Sequence, residues 1–291
     1  MSDHHEAHIV EPSKWPIIGS IAIFLIMWGF VHALHGSEWG AKLSALGGLT
    51  LLYMIYGWFK EVIKDSLAGL REDAVINSSF RWAMVWFIFS EVMFFATFFG
   101  VLFYIRVITI PHLGGLAFGD MTHILLWPGF ESSWPLLKTP DPSKFLGPNG
   151  AMETWHLPAI NTLILLLSGG TITLAHMYLI KHRMKLAALW QLLTILLGAM
   201  FLFLQAHEYG IAYNDKGLTL GSGIFGSTFF MLTGFHGFHV TLGTIMLICI
   251  LYRILRGHFT AKHHFAFEAV AWYWHFVDVV WLGLFIFVYW L

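Results

Sequence analysis

The sequence predicts an all-α polytopic membrane protein whose helices cross the bilayer seven times. Of its 291 residues, 57% are hydrophobic and only 11% are charged, whereas a soluble domain carries about 25% charged residues. Its apolar runs reach about 20 residues, which is enough to cross a hydrocarbon core ~30 Å thick. Runs of this kind favour helices, because a helix satisfies its own backbone hydrogen bonds in lipid. The strands of a membrane β-barrel would instead alternate apolar and polar residues over about ten residues.

The predicted spans follow one another in two groups. They lie at 16–35, 41–59, 82–108, 159–180, 187–210, 222–255 and 269–291. We expect a two-helix unit at 16–59 and a five-helix bundle at 82–291, joined by a polar linker at 60–81. Residues 1–15 are expected to form a polar tail. The connection 109–157 is rich in proline and glycine, which predicts an irregular loop.

The distribution of basic residues predicts how the chain is oriented. Seven spans place the two termini on opposite sides of the membrane. Eleven of the sixteen Lys and Arg residues lie on the side of the N-terminus and five on the other side. Because cytoplasmic loops carry the excess of Lys and Arg, we expect the N-terminus, the tail and the linker in the cytoplasm. The C-terminus and the long loop are then outside.

The cysteine content excludes several classes of redox protein. Cys249 is the single cysteine, so the chain cannot ligate an iron–sulfur cluster or attach a c-type haem. Its seventeen histidines are the only metal ligands present in quantity. A di-iron bundle needs two Glu-x-x-His motifs, and we find one, Glu153 with His156. The sequence spacing therefore gives little support for a metal or haem centre.

Glu91 is an acidic residue deep inside a predicted span. It lies in "FIFSEVMFF", ten residues past Arg81, which is near the middle of the bilayer at about 1.5 Å per residue. A carboxylate there costs roughly 2.5–3.5 kcal/mol to insert, so we expect Glu91 to face protein and stay protonated. Two interpretations remain open, a proton site or a neutral acid that is hydrogen-bonded between helices.

Asp278 is the second acidic residue inside a span, and it has a partner on its own helix. His275 lies three residues earlier in "YWHFVDVVW", so the two side chains share a face. Such a pair could be a metal ligand, a proton relay or a contact between helices. In either protonation state it is best buried against another helix.

Two further spans carry polar residues. In "TGFHGFHV" His236 and His239 share a helix face. The same span contains small residues at a spacing of four, namely Thr233, Gly237 and Thr241. They predict a ridge of small residues along which another helix could approach closely. Near the end of the fifth span, "LQAHEY" adds Gln205 and Glu208.

A last group of residues lies at the predicted cytoplasmic level. It comprises Trp58, Lys60 and Asp65 after the second span, and Arg253, Arg256 and His258 at the end of the sixth. Basic side chains at this level extend towards lipid phosphates. The sequence alone leaves two interpretations open, a topology signal or specific lipid binding.

Five stretches of the chain resemble subunit III of haem-copper cytochrome c oxidases. They are "FSEVMFF", "NTLILLLSGGTITLAH", "LQAHEY", "GSTFFMLTGFHGFHV" and "HHFAFEAVAWYWHFVDVVW". The resemblance covers most of 58–291, and the first two spans match more loosely. Two departures are visible. The loop 109–157 is unlike the family's usual form, and Met177 follows His176 where a second His is common. The resemblance therefore does not assign the contacts of the loop.

The resemblance implies a non-redox subunit of a proton-pumping cytochrome c oxidase in a bacterial inner membrane. It implies a V of two helices against five, with phospholipids in the cleft, and a role in supporting proton uptake and stabilising the catalytic subunit. The implied partners are subunits I and II, with a small subunit IV as an optional further partner, and no nucleic acid. Haems and copper belong to the partner subunits. The quinol-oxidase form lacks the first two helices, so cytochrome c is the implied electron donor of the complex.

The resemblance also assigns residues. Glu91 matches the family's buried glutamate near subunit I, and it is the implied proton-related residue. Positions near cleft lipids are matched by Trp58, Asp65, Arg253 and Arg256. The implied interhelical polar contacts, none of them a metal ligand, are Gln205, Glu208, His236, His239, His275 and Asp278. Two other hypotheses compete with this one, an ion transporter that uses Glu91 and Asp278, and a haem enzyme that uses the histidines.

Overall fold

A computed structural model describes residues 13–68, 74–116 and 120–291, and within these ranges the chain forms helices, turns and loops without a β-strand. Six of the described helices are long and apolar enough to cross a membrane. The predicted all-α class and the multi-pass membrane character are therefore confirmed. The seventh crossing and the V-shaped arrangement stay predictions.

The helices are numbered in chain order. They are α1 Trp15–Leu34, α2 Glu38–Leu67, α3 Ala74–Phe103, α4 Ile110–Leu113, α5 Asp120–Leu126, α6 Leu157–Ile180, α7 Met184–Asn214, α8 Gly223–Leu255 and α9 Phe265–Leu284. A π-helical segment, Tyr104–Thr109, joins α3 to α4 without a break, and a second one, Phe285–Trp290, continues α9. Several helices therefore extend beyond the apolar runs that predicted them.

The second predicted span, 41–59, lies within the 30-residue helix α2. This helix is less apolar than the six described helices that could cross a membrane. Polar residues explain the difference, since Lys42 and Lys60 border the apolar part of α2. Helix α2 also continues to Leu67, inside the segment expected to be a linker. Lysine is a good helix former, so the helix need not end where the apolar run does.

The chain divides into two compact units, Met1–Ile76 and Asn77–Leu291. In the first unit, α1 and α2 form an antiparallel hairpin in which the two backbones touch. A Cβ atom at Gly29 would lie 2.4 Å from the backbone nitrogen of Ser44. One at Gly40 would lie 2.4 Å from that of Ala33. Glycine is therefore required at both positions by the close approach of the helices.

The second unit is built around α9. Helix α9 packs against α6 and α8, and α7 packs against the same two helices, which closes a four-helix arrangement. Its centre is filled by Trp274 and Trp281, both less than 2% exposed. Helix α3 packs against α8 and α9 through aromatic side chains, with Phe94 stacked edge-on against Phe235 at 5.1 Å.

Trp274 lies in a slot that three other helices form. A Cβ atom at Gly198 of α7 or at Gly243 of α8 would come within 2.8 Å of the indole ring. On the α6 side, the indole Nε1 donates a hydrogen bond to Ser168 Oγ at 2.9 Å. In parallel, Trp281 Nε1 donates to Thr162 Oγ1, also at 2.9 Å. Two indoles thus connect α9 to α6 by polar contacts in an otherwise apolar core.

Among the described residues of the second unit, no helix approaches the predicted ridge of small residues on α8 at Gly237. A Cβ atom at Gly237 would meet no described atom within 4 Å, and Thr241 is exposed. Thr233 is fully buried, but its Oγ1 lies 2.7 Å from the Tyr209 hydroxyl of α7. The close approach occurs instead at Gly243, which faces Trp274. Spacing alone could not identify which glycine faces the core.

Candidate functional site

Glu91 and His239 form a polar pair between α3 and α8. The Glu91 Oε2 atom lies 2.9 Å from His239 Nε2. The side chains are 22% and 9% exposed, so the pair is largely covered by protein. The other ring nitrogen, Nδ1, lies 2.6 Å from the carbonyl oxygen of Phe235, one turn earlier on α8.

This geometry fixes how many protons the pair holds. A carbonyl oxygen only accepts, so His239 Nδ1 must carry a proton to bond to Phe235. The contact between Nε2 and Glu91 then needs one more proton, which belongs either to the carboxyl group or to the ring. Both arrangements leave the pair electrically neutral, and the shared proton is a property of the pair rather than of one residue.

Aromatic rings surround the pair. The His239 ring lies 5.0 Å from the ring of Phe95 and 5.8 Å from that of Phe94, measured between centroids. Tyr273 of α9 stacks on the same imidazole at 6.5 Å. These apolar walls reduce access of water, which strengthens the hydrogen bond and increases the cost of breaking it.

His236 is three residues from His239, so helical spacing places both on one face of α8, but His236 contacts a different helix. Its Nε2 atom lies 3.2 Å from the carbonyl oxygen of Val277 on α9. The ring is 1% exposed and lies 5.6 Å from Phe201 and 5.1 Å from Trp281. The two histidines of α8 therefore connect it to α9 and to α3, respectively.

His275 and Asp278 meet on the face of α9 that packs against α6. His275 Nδ1 lies 3.6 Å from Asp278 Oδ2. The backbone of Gly169 borders the pair, since a Cβ atom there would lie 2.4 Å from the same oxygen. Asp278 is buried and His275 is half exposed, with its Nε2 at 3.4 Å from Thr173 Oγ1. The structure thus places this pair at an interhelical contact.

Gln205 and Glu208 lie on one face of α7, where both are buried. Glu208 is fully buried and lies near the hydroxyl of Tyr289, in the last helical segment of the chain. The neighbouring Tyr209 contacts Thr233 of α8. This polar region lies in the half of α7 that is farther from Arg183.

The four residues of the predicted lipid group differ in exposure. Trp58 is 49% exposed on α2 of the first unit, where Asp65 is half-buried. In the second unit, Arg253 is only 7% exposed and lies over the ring of Phe259 at 4.5 Å, whereas Arg256 is exposed. Arg256 is therefore the arginine of this pair that is available to an external phosphate.

His258 follows this pair of arginines. Partial burial, and then the positive charges of Arg253 and Arg256, lower the pKa of His258. A depressed pKa keeps this imidazole neutral at neutral pH. The positive charge at this end of α8 is therefore carried by the arginines.

One polar cluster was not anticipated from the sequence. Glu268 of α9 lies within reach of His264, His176 of α6 and Arg81 of α3. The sequence contained a signal, because His264 and Glu268 in "HHFAFE" are four residues apart and share a helix face. The apolar run that predicts this span begins at 269, so Glu268 lies one residue outside it.

Comparison with known proteins identifies relatives over the whole chain. The family model "Cytochrome c oxidase subunit III" matches residues 5–120 and 121–291. Cytochrome c oxidase subunit 3 of Arabidopsis thaliana is 38% identical over 291 residues, which cover 99% of this chain and 97% of the relative. The protein of the same name from Marchantia polymorpha is 39% identical over 293 residues, covering 100% and 98%, respectively. The one from Gadus morhua is 38% identical over 288 residues, covering 98% and 97%.

Proposed function

Because the chain belongs to the cytochrome c oxidase subunit III family, we propose that it is the non-redox subunit III of a proton-pumping oxidase. The chain is a subunit of the oxidase complex, which transfers electrons from cytochrome c to oxygen. In this proposal the haems and copper belong to partner subunits I and II, and this chain binds none of them. A small subunit IV is an optional further partner.

The observation that carries the proposal is the Glu91–His239 pair. A single proton shared by a carboxyl group and an imidazole, enclosed by aromatic rings, suits a residue that supports proton uptake by a neighbouring subunit. Glu91 lies on α3, whose other described contacts in the second unit are made largely by aromatic side chains. We assign Glu91 the proton-related role and His239 the role of its hydrogen-bonding partner.

The contacts of the other histidines favour a structural role over haem ligation. His236 is enclosed between packed rings and bonds to a backbone carbonyl. His275 lies against Asp278 and α6. An axial haem ligand needs a nitrogen directed into a cavity large enough for the macrocycle. The His236 ring faces packed side chains, and the two nitrogens of His275 lie next to Asp278 and Thr173.

We further propose that the protein binds structural phospholipids and stabilises the catalytic subunit. Trp58 and Asp65 in the first unit, and Arg253 and Arg256 in the second, are the proposed lipid residues. The proposal includes seven membrane crossings, a V of two helices and five, and a cytoplasmic N-terminus with a periplasmic C-terminus. The membrane is the bacterial inner membrane.

The experiment that tests the proposal is a measurement of haem and copper in the complex. The tagged chain is isolated from membranes in mild detergent, and then separated from its partners in a stronger one. We expect haem and copper to accompany the complex and to leave with the partners. Haem that remains with the isolated chain would overturn the non-redox assignment.

A further inference from the structure

We propose that His176, His264 and Glu268 form a binding site for a divalent transition metal of the zinc class. The site lies where α6 ends and α9 begins, at the predicted cytoplasmic level. It is separate from the Glu91–His239 pair and does not depend on the proposed role of that pair. Three observations carry the proposal, namely the convergence of the donor atoms, the orientation of each donor, and the nature of the donor set.

The donor atoms converge on one point. One ligand atom from each of the three residues lies within 4.8 Å of the other two. Glu268 Oε1 lies 3.2 Å from His264 Nε2 and 3.9 Å from His176 Nε2. Tetrahedral zinc with bonds of about 2.0–2.1 Å holds its donors roughly 3.4 Å apart. Small side-chain rotations are therefore enough to bring all three donors to bonding distance.

His264 is held in the orientation that a metal ligand requires. Its Nδ1 atom lies 3.2 Å from the carbonyl oxygen of Thr260. Because the carbonyl only accepts, Nδ1 carries the proton and Nε2 of the neutral ring presents its lone pair to the site. Metal-ligating histidines typically donate their second N–H to a carbonyl or carboxylate in this way.

His176 provides a nitrogen that the protein leaves unused. Its Nε2 atom is buried and has no hydrogen-bond partner among the described residues. The ring stacks on Phe267 at 5.3 Å between centroids, with 20° between the planes. This contact fixes the ring while its nitrogen faces the carboxylate of Glu268. A buried nitrogen without a partner is costly, and coordination would remove that cost.

The two carboxylate oxygens of Glu268 have different neighbours, an arginine on one side and the two histidines on the other. Arg81 Nη2 lies 2.5 Å from Oε2, which leaves Oε1 directed towards the histidines. The guanidinium opposes a second cation, so charge alone would not retain an ion here. Calcium and magnesium require several oxygen ligands, and the site offers one. Two imidazoles and one carboxylate instead match the His₂Glu donor set of zinc, with a fourth position for water.

The site is open enough to be loaded from solution. The side chains of His176, His264 and Glu268 are 28%, 10% and 15% exposed. Since Arg81 also contacts Glu268, the cluster involves α3, α6 and α9. A bound ion would therefore fix the start of α9 to the end of α6.

The test uses the intact oxidase complex, freed of loosely bound metal with EDTA and titrated with zinc against a fluorescent zinc chelator. The variants are Glu268→Gln and His264→Gln. The control is His156→Gln, which removes an exposed histidine whose Nε2 lies 3.2 Å from Glu153. This pair has no third ligand among the residues that the structure describes. We expect each of the two variants to bind one zinc ion fewer per complex than the wild type, and the control to bind the same number. Equal zinc content in all four complexes would overturn the proposal.

A second measurement on the unmodified complex covers the case in which the variants fail to assemble. Hydrogen–deuterium exchange of backbone amides is followed by mass spectrometry with and without added zinc. We expect zinc to slow exchange at residues 260–268, around the start of α9, by at least severalfold and to leave the turn at residues 217–222, before α8, unchanged. Equal exchange at residues 260–268 with and without zinc would overturn the site.

Discussion

Trp274 Nε1 donates a hydrogen bond to Ser168 Oγ, so that the most deeply buried indole of the protein connects α9 to α6. The Ser168 hydroxyl in turn donates to the carbonyl oxygen of Leu165, at 2.6 Å. The indole N–H is therefore satisfied within the core. Because the slot around Trp274 is closed by glycines on two other helices, a substitute acceptor has no room to enter.

Replacing Ser168 by Ala should destabilise the protein through Trp274. The indole N–H would lose its acceptor in a buried position, which costs about 1–3 kcal/mol. We expect a lower temperature for release of this subunit from the complex. Ser227→Ala is the control, because the Ser227 hydroxyl bonds to carbonyl oxygens of its own helix. An equal effect of the two substitutions would contradict this role of Ser168.

Two substitutions at Glu91 separate its structural role from its proton role. Glu91→Gln can donate an N–H to His239 Nε2 and so retain the hydrogen bond, whereas Glu91→Ala cannot. We expect Glu91→Ala to lower the free energy of unfolding by about 1–3 kcal/mol, and therefore to lower the melting temperature of the complex. Glu91→Gln should change both little. Initial oxygen reduction should stay nearly normal in both.

Proton uptake should respond differently from stability. Neither Gln nor Ala can exchange the proton that the Glu91–His239 pair shares, so proton uptake should slow to a similar extent in both variants. Stopped-flow measurement with a pH dye in the bulk phase provides the comparison. If Glu91→Gln took up protons as the wild type does, Glu91 would be a structural residue only.

Neighbouring glycines on α6 should respond in opposite directions to substitution by Ala. A Cβ atom at Gly169 would lie 2.4 Å from Asp278 Oδ2, so the His275–Asp278 pair must shift. A Cβ atom at Gly170 would meet no described atom within 4 Å. Ala favours a helix over Gly by up to about 1 kcal/mol. We therefore expect Gly169→Ala to lower the melting temperature of the complex, and Gly170→Ala to leave it unchanged or raise it. Similar losses for both would show that the contact with Asp278 is unimportant.

Arg256 should contribute to phospholipid retention. It is exposed, unlike Arg253, and is therefore accessible to a lipid phosphate. We expect Arg256→Gln to reduce the phosphorus content of the detergent-purified complex by about one lipid. Arg183→Gln removes an exposed arginine at the start of α7 and should leave phosphorus unchanged. If Arg256→Gln retained all of the lipid, the proposed role of Arg256 would be wrong.

Most of the helices could be predicted from the sequence, but many of their ends could not. The run 222–255 lies within one residue of α8, because polar residues border it on both sides. The run 82–108 is shorter at both ends than the continuous helical stretch that contains it. This stretch begins with α3 at Ala74, passes through the π-helical segment and ends with α4 at Leu113. An apolar run measures the thickness of the lipid that a helix crosses. It does not measure how far the helix continues beyond the lipid.

In the candidate site, the sequence predicts which residues share a face of one helix, but not which residues meet between two helices. Helical spacing placed His275 and Asp278 on one face, and the structure agrees. Spacing also placed His236 and His239 together, yet they contact different helices, because a face can border two neighbours. The partner of His239 is Glu91, which lies 148 positions away in the sequence. Such a contact depends on which helices are neighbours, and this is a property of the tertiary fold.

The Glu91–His239 pair is also nearly insensitive to the membrane potential. A unit charge that crosses the whole membrane gains about 2.3 kcal/mol per 100 mV. The proton of the pair moves along a line of at most 2.9 Å, which is about a tenth of a hydrocarbon core ~30 Å thick. The membrane potential therefore changes the energy of this movement by no more than roughly 0.2 kcal/mol per 100 mV. Energisation of the membrane would therefore leave the position of this proton almost unchanged. A respiring cell and a de-energised one would therefore have the same distribution of this proton between Glu91 and His239.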